Sequence, residues 1–409
     1  MNIGLRAALI SILSTAAGHL VAFENTKVMP KNVRSVDIRT VDTHIENKTD
    51  AGGQPQPLAK PLDQDLTFAK MVKSESALKS SQLNAFLTSN GFSDTDVVGT
   101  FSADLKAHVR VTAPIISYGL TERLTLAAAI PVYQAQTAIN VGFVPTPRAQ
   151  QFLTALAQPE NNQTASAREV GDKLNHAVER LNQKLLDNGF RNLRNWDGQG
   201  LGDITLAGKF RGIDTEGFAL AATGGVVLPT GRTDDVDVIN DLAFGDGQTD
   251  VFTQIATDEF IGNGFTINEF AKYTEQLAGR KQVRLVTEDE KIEVGKSEAD
   301  FKLGSKWEAG ASLQWEPSFG LVTGIGYNHL QKLGDNYRGI PPESQRALEA
   351  NTDQQANNSL FQLGYSTVPL FRAKRFPVPL ETKFTYVHQL SSKNLPESDL
   401  AQFDFSLFF

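Results

Sequence analysis

The chain has 409 residues, no cysteine, 40% hydrophobic residues and a formal net charge of -8 with both signs interspersed. That mixed charge excludes a nucleic-acid footprint. The lack of cysteine excludes disulfides, thiolate metal sites, cysteine nucleophiles and a lipid-carrying cysteine.

Met1 to Ala22 reads MNIGLRAALISILSTAAGHLVA, with Arg6 in a short n-region, an apolar stretch from Ala7 to Leu13 and small residues after it. This is the pattern of a secretory signal peptide, with cleavage after Gly18 or after Ala22 as the two candidates. No other stretch approaches the ~20 apolar residues of a spanning helix. An exported chain of this kind is either a soluble secreted protein or an outer-membrane barrel.

Twelve strands are predicted, at 33–46, 97–117, 123–135, 200–211, 217–229, 248–259, 265–276, 299–316, 319–332, 357–369, 378–390 and 400–409. In the second, Phe101, Ala103, Leu105, Ala107, Val109 and Val111 alternate with Ser102, Asp104, Lys106, His108 and Arg110. In the fourth, Ile204, Leu206 and Phe210 oppose Asp203, Thr205, Lys209 and Arg211. In the eighth, Phe301, Leu303, Trp307, Ala309, Ala311, Leu313 and Trp315 share one face, with Ser305 the exception. Such a period-two run is longer than a usual strand of ~5–6 residues. The first and seventh strands alternate least regularly, so ten or fourteen strands also fit the pattern.

Alternation alone suits a soluble sheet and a lipid-embedded barrel equally, and the connections decide between them. Tight turns fall at Tyr118 to Arg123, Gly212 to Gly217, Ile261 to Gly264, Glu316 to Gly320 and around Lys374 to Pro377. Long connections fall between them at 47–96, 136–199, 230–247, 277–298, 333–356 and 391–399. Short turns at one end and long loops at the other are the grammar of an outer-membrane barrel with periplasmic turns and extracellular loops. The fold class is therefore all-β: a transmembrane antiparallel up-and-down β-barrel over residues 23–409, in the bacterial outer membrane.

The C-terminal run DLAQFDFSLFF fits a closing strand, with Phe403, Phe405, Leu407 and Phe409 toward lipid and Asp404 and Ser406 inward. It resembles the signal by which barrel-assembly machinery recognises its clients. Several other stretches resemble the outer-membrane transporters of the phenol-degradation meta-pathway family. They are MPKNVRSVDIRTVDTHIE (Met29 to Glu46), YGLTERLTLAAAIPV (Tyr118 to Val132), GLGDITLAGKF (Gly200 to Phe210), GGVVLPTGRTDD (Gly224 to Asp235) and GDGQTDVFTQI (Gly245 to Ile255). The resemblance spans most of the chain after the signal and implies a channel or transporter for small, often hydrophobic, compounds. It supplies no catalytic residues, and segment 136–199 is longer than the family's usual loop.

The predicted inward face carries Lys106, Arg110, Lys209, Arg211, Lys302, Lys306 and Lys383 against Asp104, Asp203, Glu308, Glu316, Glu381 and Asp404, with His108 among them. Seven basic and six acidic residues leave little net field, so strong ion selectivity is not expected. The alternative is a salt-bridged, closed interior. Within the loop 136–199, Val170, Leu174, Val178, Leu181 and Leu185 mark one face of a helix that opens with a Ser166/Glu169 capping box. It packs on the rim or folds into the mouth as a constriction. A weaker helical candidate lies in loop 47–96.

The loop after VVLPTG holds Asp234, Asp235, Asp237, Asp241, Asp246 and Asp250 but satisfies no calcium-loop spacing, so a solvated loop is favoured. His388, Ser391 and Ser392 are the residues a barrel-wall hydrolase would use, but their spacing departs from the His-x-Ser pattern of outer-membrane phospholipases. No enzyme, cofactor or metal is expected. The expected partners are membrane lipid and lipopolysaccharide, the assembly machinery and a small solute; the alternatives to a channel are a closed surface-binding barrel and, third, a hydrolase.

Overall fold

The alternating segments pair, each with its neighbours, into one closed antiparallel sheet in a computed structural model that describes residues 24–72, 77–158, 164–285 and 295–409. The expected signal peptide, 1–22, lies outside the described residues. Among them, twelve strands form the wall. They are β1 (Arg34–Ile45), β2 (Val97–Gly119), β3 (Leu124–Ala129 continuing as Val132–Pro145), β4 (Trp196–Leu201 continuing as Ile204–Asp214), β5 (Phe218–Leu228) and β6 (Asp250–Gly262). The ring continues through β7 (Phe265–Gln276), β8 (Lys306–Trp315), β9 (Leu321–Lys332), β10 (Gln354–Ser366), β11 (Leu380–Lys393) and β12 (Leu400–Phe408).

β1 closes the ring, pairing with β12 on one side and β2 on the other. The even strand count brings both ends of the ring together, where Arg34 N donates to Phe409 O at 2.8 Å and Phe409 N donates back at 3.0 Å. The sheet thus has no edge, which is the condition for leaving no backbone group unpaired in hydrocarbon.

Two strands break. β3 kinks at Ile130–Pro131, because proline has no N–H for the ladder; Ile130 N reaches across to Pro114 O at 3.0 Å instead. β3 then runs on to Pro145, well past the predicted end at 135. β4 kinks opposite, at Gly202–Asp203, where Gly202 N donates to Pro131 O at 2.8 Å.

The predicted strand 299–316 is two elements. Gly295–Lys302 pairs with Gly279–Leu285 in a separate hairpin at the loop end, and only Lys306–Trp315 is wall. The apolar faces of the two differ. Phe301 and Leu303 are buried with Val283 and Tyr337, whereas Trp307 is 54% exposed on the outside. The switch occurs at Gly304, whose missing Cβ would stand 1.9 Å from Leu333 O.

The outside of the barrel carries exposed Ile38, Ile116, Phe210, Ile255, Ile325, Phe361, Phe384 and Phe403. Soluble surfaces do not carry a belt of this kind. Rings flank it. Phe265 stacks on Trp315, which meets Phe319, near the turns, and Tyr273 packs on Trp307 toward the loops. Tyrosine and tryptophan favour such borders because one end is apolar and the other polar.

At the loop end α1 (Ala77–Ser89), α2 (Pro147–Ala157) and α3 (Ala165–Asn175) share a core of Phe86, Phe152, Val170 and Leu174 with Phe68. The predicted single helix from Ser166 is α3 plus α4 (Ala177–Asp187), interrupted at His176. Its N-cap is Thr164, whose Oγ1 accepts from Ala167 N at 3.1 Å.

Candidate functional site: the lumen

The inside of the barrel has two linings. Toward the turns it is polar. Asn268 Nδ2 donates to Asp258 Oδ1 at 2.5 Å, Asn358 Nδ2 to Asn328 Oδ1 at 2.9 Å, and Gln362 Nε2 to Thr385 Oγ1 at 3.1 Å. Ion pairs join Arg39 to Asp404 and Lys383 to Glu381, and higher up, beside Tyr273 and Trp307, Lys272 to Glu308 at 3.2 Å. Buried polar groups of this kind are tolerated where they find partners, and Gln362 Oε1 is an exception that finds none among the described residues.

Into this polar half runs the segment that precedes β1. Thr26 N and Oγ1 both donate to Asp258 Oδ2, at 3.0 and 2.6 Å. Gln254 Nε2 donates to Glu24 Oε2 at 2.8 Å, and Lys209 Nζ to Asn25 O at 2.9 Å. Lys27 pairs with Glu316 at 2.6 Å near the turns, so residues 27 back to 24 climb the lumen from the turn end. Sequence reading missed this insertion. The available signal is the polar Glu24-Asn25-Thr26-Lys27 run, too short and too polar to cross lipid itself.

Toward the loops the β2–β3 side is apolar, whereas Asp250, Gln276, Lys332 and Gln354 stay buried on the strands opposite. Leu105, Ala107, Val109 and Val111 of β2 and Tyr133 and Ala135 of β3 pack with Leu58, Leu185 of α4, Phe190, Leu242 and Phe244. Tyr133 and Phe244 stack with centroids 5.3 Å apart. The segment carrying Leu242 and Phe244 is the acidic loop, and it is not solvated as expected. Arg232 grips Asp241 through two nitrogens at 2.7 and 2.8 Å and lies over the Trp196 and Phe244 rings. Asp235 pairs with Arg191 at 2.9 Å, and Asp237 with Lys296 at 2.5 Å and with the buried Arg284. Burial would raise the Asp237 carboxyl, but hydrogen bonds from Lys296 and Arg284 outweigh it and hold it below the usual carboxylate range.

The predicted lumen residues divide. Lys209, Arg211, Lys306, Glu308, Glu381, Lys383 and Asp404 share the inward faces of their strands. Asp203, at the β4 kink, accepts from Gly231 N at 2.8 Å and Asp246 N at 3.3 Å and so anchors the acidic loop. Asp104, Lys106, His108 and Arg110 are a correction, because they point outward. β2 has 23 residues, about twice what a tilted spanning strand needs. Its upper half therefore projects beyond the apolar belt, where the outer face takes the charges and the inner face packs on the loops. Lys302 is a second correction; it sits on the loop-end hairpin and donates to Glu275 Oε1 at 2.5 Å. His388 and Ser392 are not brought together. His388 Nδ1 lies 3.0 Å from Asp399 Oδ1, and Ser392 Oγ lies 3.0 Å from Thr49 Oγ1.

No protein-family model matches the chain, and no curated protein matches it. Its fold is similar to that of the COG4313 outer membrane channel from Pseudomonas putida F1. The TM-score is 0.53 at 12% identity, over 95% of this chain and 100% of that one. A Pseudomonas aeruginosa FadL homologue (TM-score 0.35, 8% identity, 98% and 97% covered) and the Ralstonia pickettii toluene transporter TbuX (TM-score 0.36, 8% identity, 98% and 99% covered) lie further off.

Proposed function

We propose that the chain is an outer-membrane channel that carries small apolar solutes inward, akin to the transporters of the phenol-degradation meta-pathway family. The observation that carries this reading is the divided lumen. An apolar cluster around Val109, Val111, Tyr133 and Phe244, packed under the loops, stands above a polar half and would line the entrance where the loops part. A solute that leaves water for such a lining gains ~25 cal/mol per Å² of apolar surface buried. An ion-selective pore would instead need rings of one charge. The fold shared with a protein described as an outer membrane channel supports the same reading.

The segment from Glu24 to Lys27 is then the obstruction at the exit, held by hydrogen bonds that can exchange with water. The inward residues Lys209, Arg211, Lys306, Glu308, Glu381, Lys383 and Asp404 form the polar wall beside it. Phe403, Phe405, Leu407 and Phe409 serve as the signal to the assembly machinery, with lipid and lipopolysaccharide around the belt. No catalytic step is assigned, since His388 and Ser392 have other partners.

Single-channel current in a planar bilayer tests the pathway, using the refolded chain and a version lacking residues 24–28. Small or gated current that rises on deletion supports a channel with this obstruction. Silence from both, in barrels shown to be folded, would leave a closed surface-binding barrel.

A further inference from the structure

A cluster of side chains on the outside of the barrel takes no part in this pathway. Outward residues of β1 run Val36, Ile38, Thr40, Asp42 and His44 from the turn end upward, and those of β2 run Ile116, Pro114, Thr112, Arg110 and His108. The polar members begin where the apolar belt ends. The antiparallel register sets His44 directly opposite His108, and Asp42 opposite Arg110. The two imidazoles stack with centroids 4.0 Å apart at 10°. Asp42 Oδ1 lies 3.2 Å from His108 Nε2 and 3.7 Å from His44 Nδ1. One ligand atom from each of the three residues can be chosen so that all lie within 4.8 Å of one another.

We propose that Asp42, His44 and His108 bind a divalent transition-metal ion, Zn²⁺ or Cu²⁺ in class, on the outer face of the barrel. Ligand atoms this close can share an ion at ~2.0–2.2 Å from each. Two imidazole nitrogens and one carboxylate oxygen suit borderline ions and not the all-oxygen preference of calcium or magnesium. Water completes the coordination, since the His44 side chain is 72% exposed. That exposure also leaves His44 free to turn out of the stack and converge its lone pair on the ion.

Arg110 Nε donates to Asp42 Oδ2 at 2.8 Å. His108 Nε2 lies 3.2 Å from both carboxylate oxygens, and the Arg110 bond to Oδ2 leaves Oδ1, the oxygen nearer His44, for the ion, as outer-shell partners do. The guanidinium charge opposes a cation, so Arg110 sets the affinity below what the three ligands alone would give. An ion bound here ties β1 to β2 beside the closing strand.

The test is Cu²⁺ titration of the tag-free, folded barrel in detergent, read by electron paramagnetic resonance, with folding confirmed by heat-dependent gel mobility. One ion with hyperfine structure from two nitrogens is expected. His44→Ala and His108→Ala should each weaken binding by at least about tenfold and reduce the pattern to one nitrogen. Arg110→Gln should tighten it. His176→Ala, which changes a separate exposed pair 3.2 Å from Asp172, should leave it unaltered. Spectrum and affinity unchanged in His44→Ala and His108→Ala, or no two-nitrogen species in the full chain, would overturn the site.

Discussion

Arg39 Nε donates to Asp404 Oδ1 at 2.5 Å across the strands that close the barrel, β1 and β12. Gln402 Nε2 donates to the other oxygen, Oδ2, at 2.7 Å. The carboxylate is thus held on both sides inside the polar half of the lumen, where both ion-pair partners are largely shielded from water. Removing one member of a shielded pair costs more than the pair contributes, because the other is left alone.

Arg39→Ala should therefore destabilise the folded barrel by about 2–3 kcal/mol, discounted from the ~3–5 of a fully buried pair. Asp404→Ala in the same background should restore part of that loss. Urea unfolding in lipid vesicles, followed by tryptophan fluorescence, measures both. Additive losses in the double variant would mean the two residues act independently.

Phe403 stands on the outside of the same strand, one residue away, and is 50% exposed. Phe403→Lys should cost about 2–4 kcal/mol if it lies near the bilayer midplane, and less toward a border. The yield of heat-modifiable barrel in the outer membrane should fall with it. Yield equal to that of the parent chain would place Phe403 outside lipid.

Asp237 gives a pH dependence confined to the loop end. Its carboxyl is held below the usual range in the folded chain, so its stabilisation is fully present above the unfolded value of ~3.9 and is lost as pH falls through the lower folded value. Amide protection at Arg284 and Lys296, relative to the intrinsic exchange rate at each pH, should be high at pH 7 and fall below about pH 4. Asp237→Asn should lower that protection at pH 7 and flatten its pH dependence. An unchanged profile in that variant would assign the effect to other carboxylates.

Phe244 links the acidic loop to the wall through its stack on Tyr133. Phe244→Ala should cost about 3 kcal/mol, the lower end for a buried aromatic, since water enters from the loop end. Local proteolysis after Arg232 should then become faster. Protection equal to that of the parent would mean the Arg232–Asp241 grip holds the loop alone.

Much of the fold is legible in the sequence because lipid imposes one rule on every strand that crosses it. Phe403, Phe405 and Leu407 alternate with Asp404 and Ser406, and the same rule locates the other wall strands and the turns between them. The rule fails above lipid. In β2, Leu105 and Val109 alternate with Lys106 and His108 just as the spanning strands do, but water lies outside there and packed loops lie inside. Alternation states that two faces differ and not which is inward, so the facing inverts with the medium. The inward positions of Lys209 and Lys383 follow from the lipid rule; the turn at Gly304 and the entry of Thr26 depend on contacts between distant segments. The same holds for His44 and His108, whose pairing follows from the β1–β2 register.

The passage of small apolar solutes is tested most directly by uptake of radiolabelled toluene into cells that express the protein in place of their own hydrocarbon channels. A Val111→Asp variant, shown to be folded and present in equal amount, serves as the comparison. Uptake above barrel-free cells, slowed by Val111→Asp and unmatched by a polar solute of similar size, is the expected result. Toluene uptake equal to that of barrel-free cells would contradict a channel for apolar solutes.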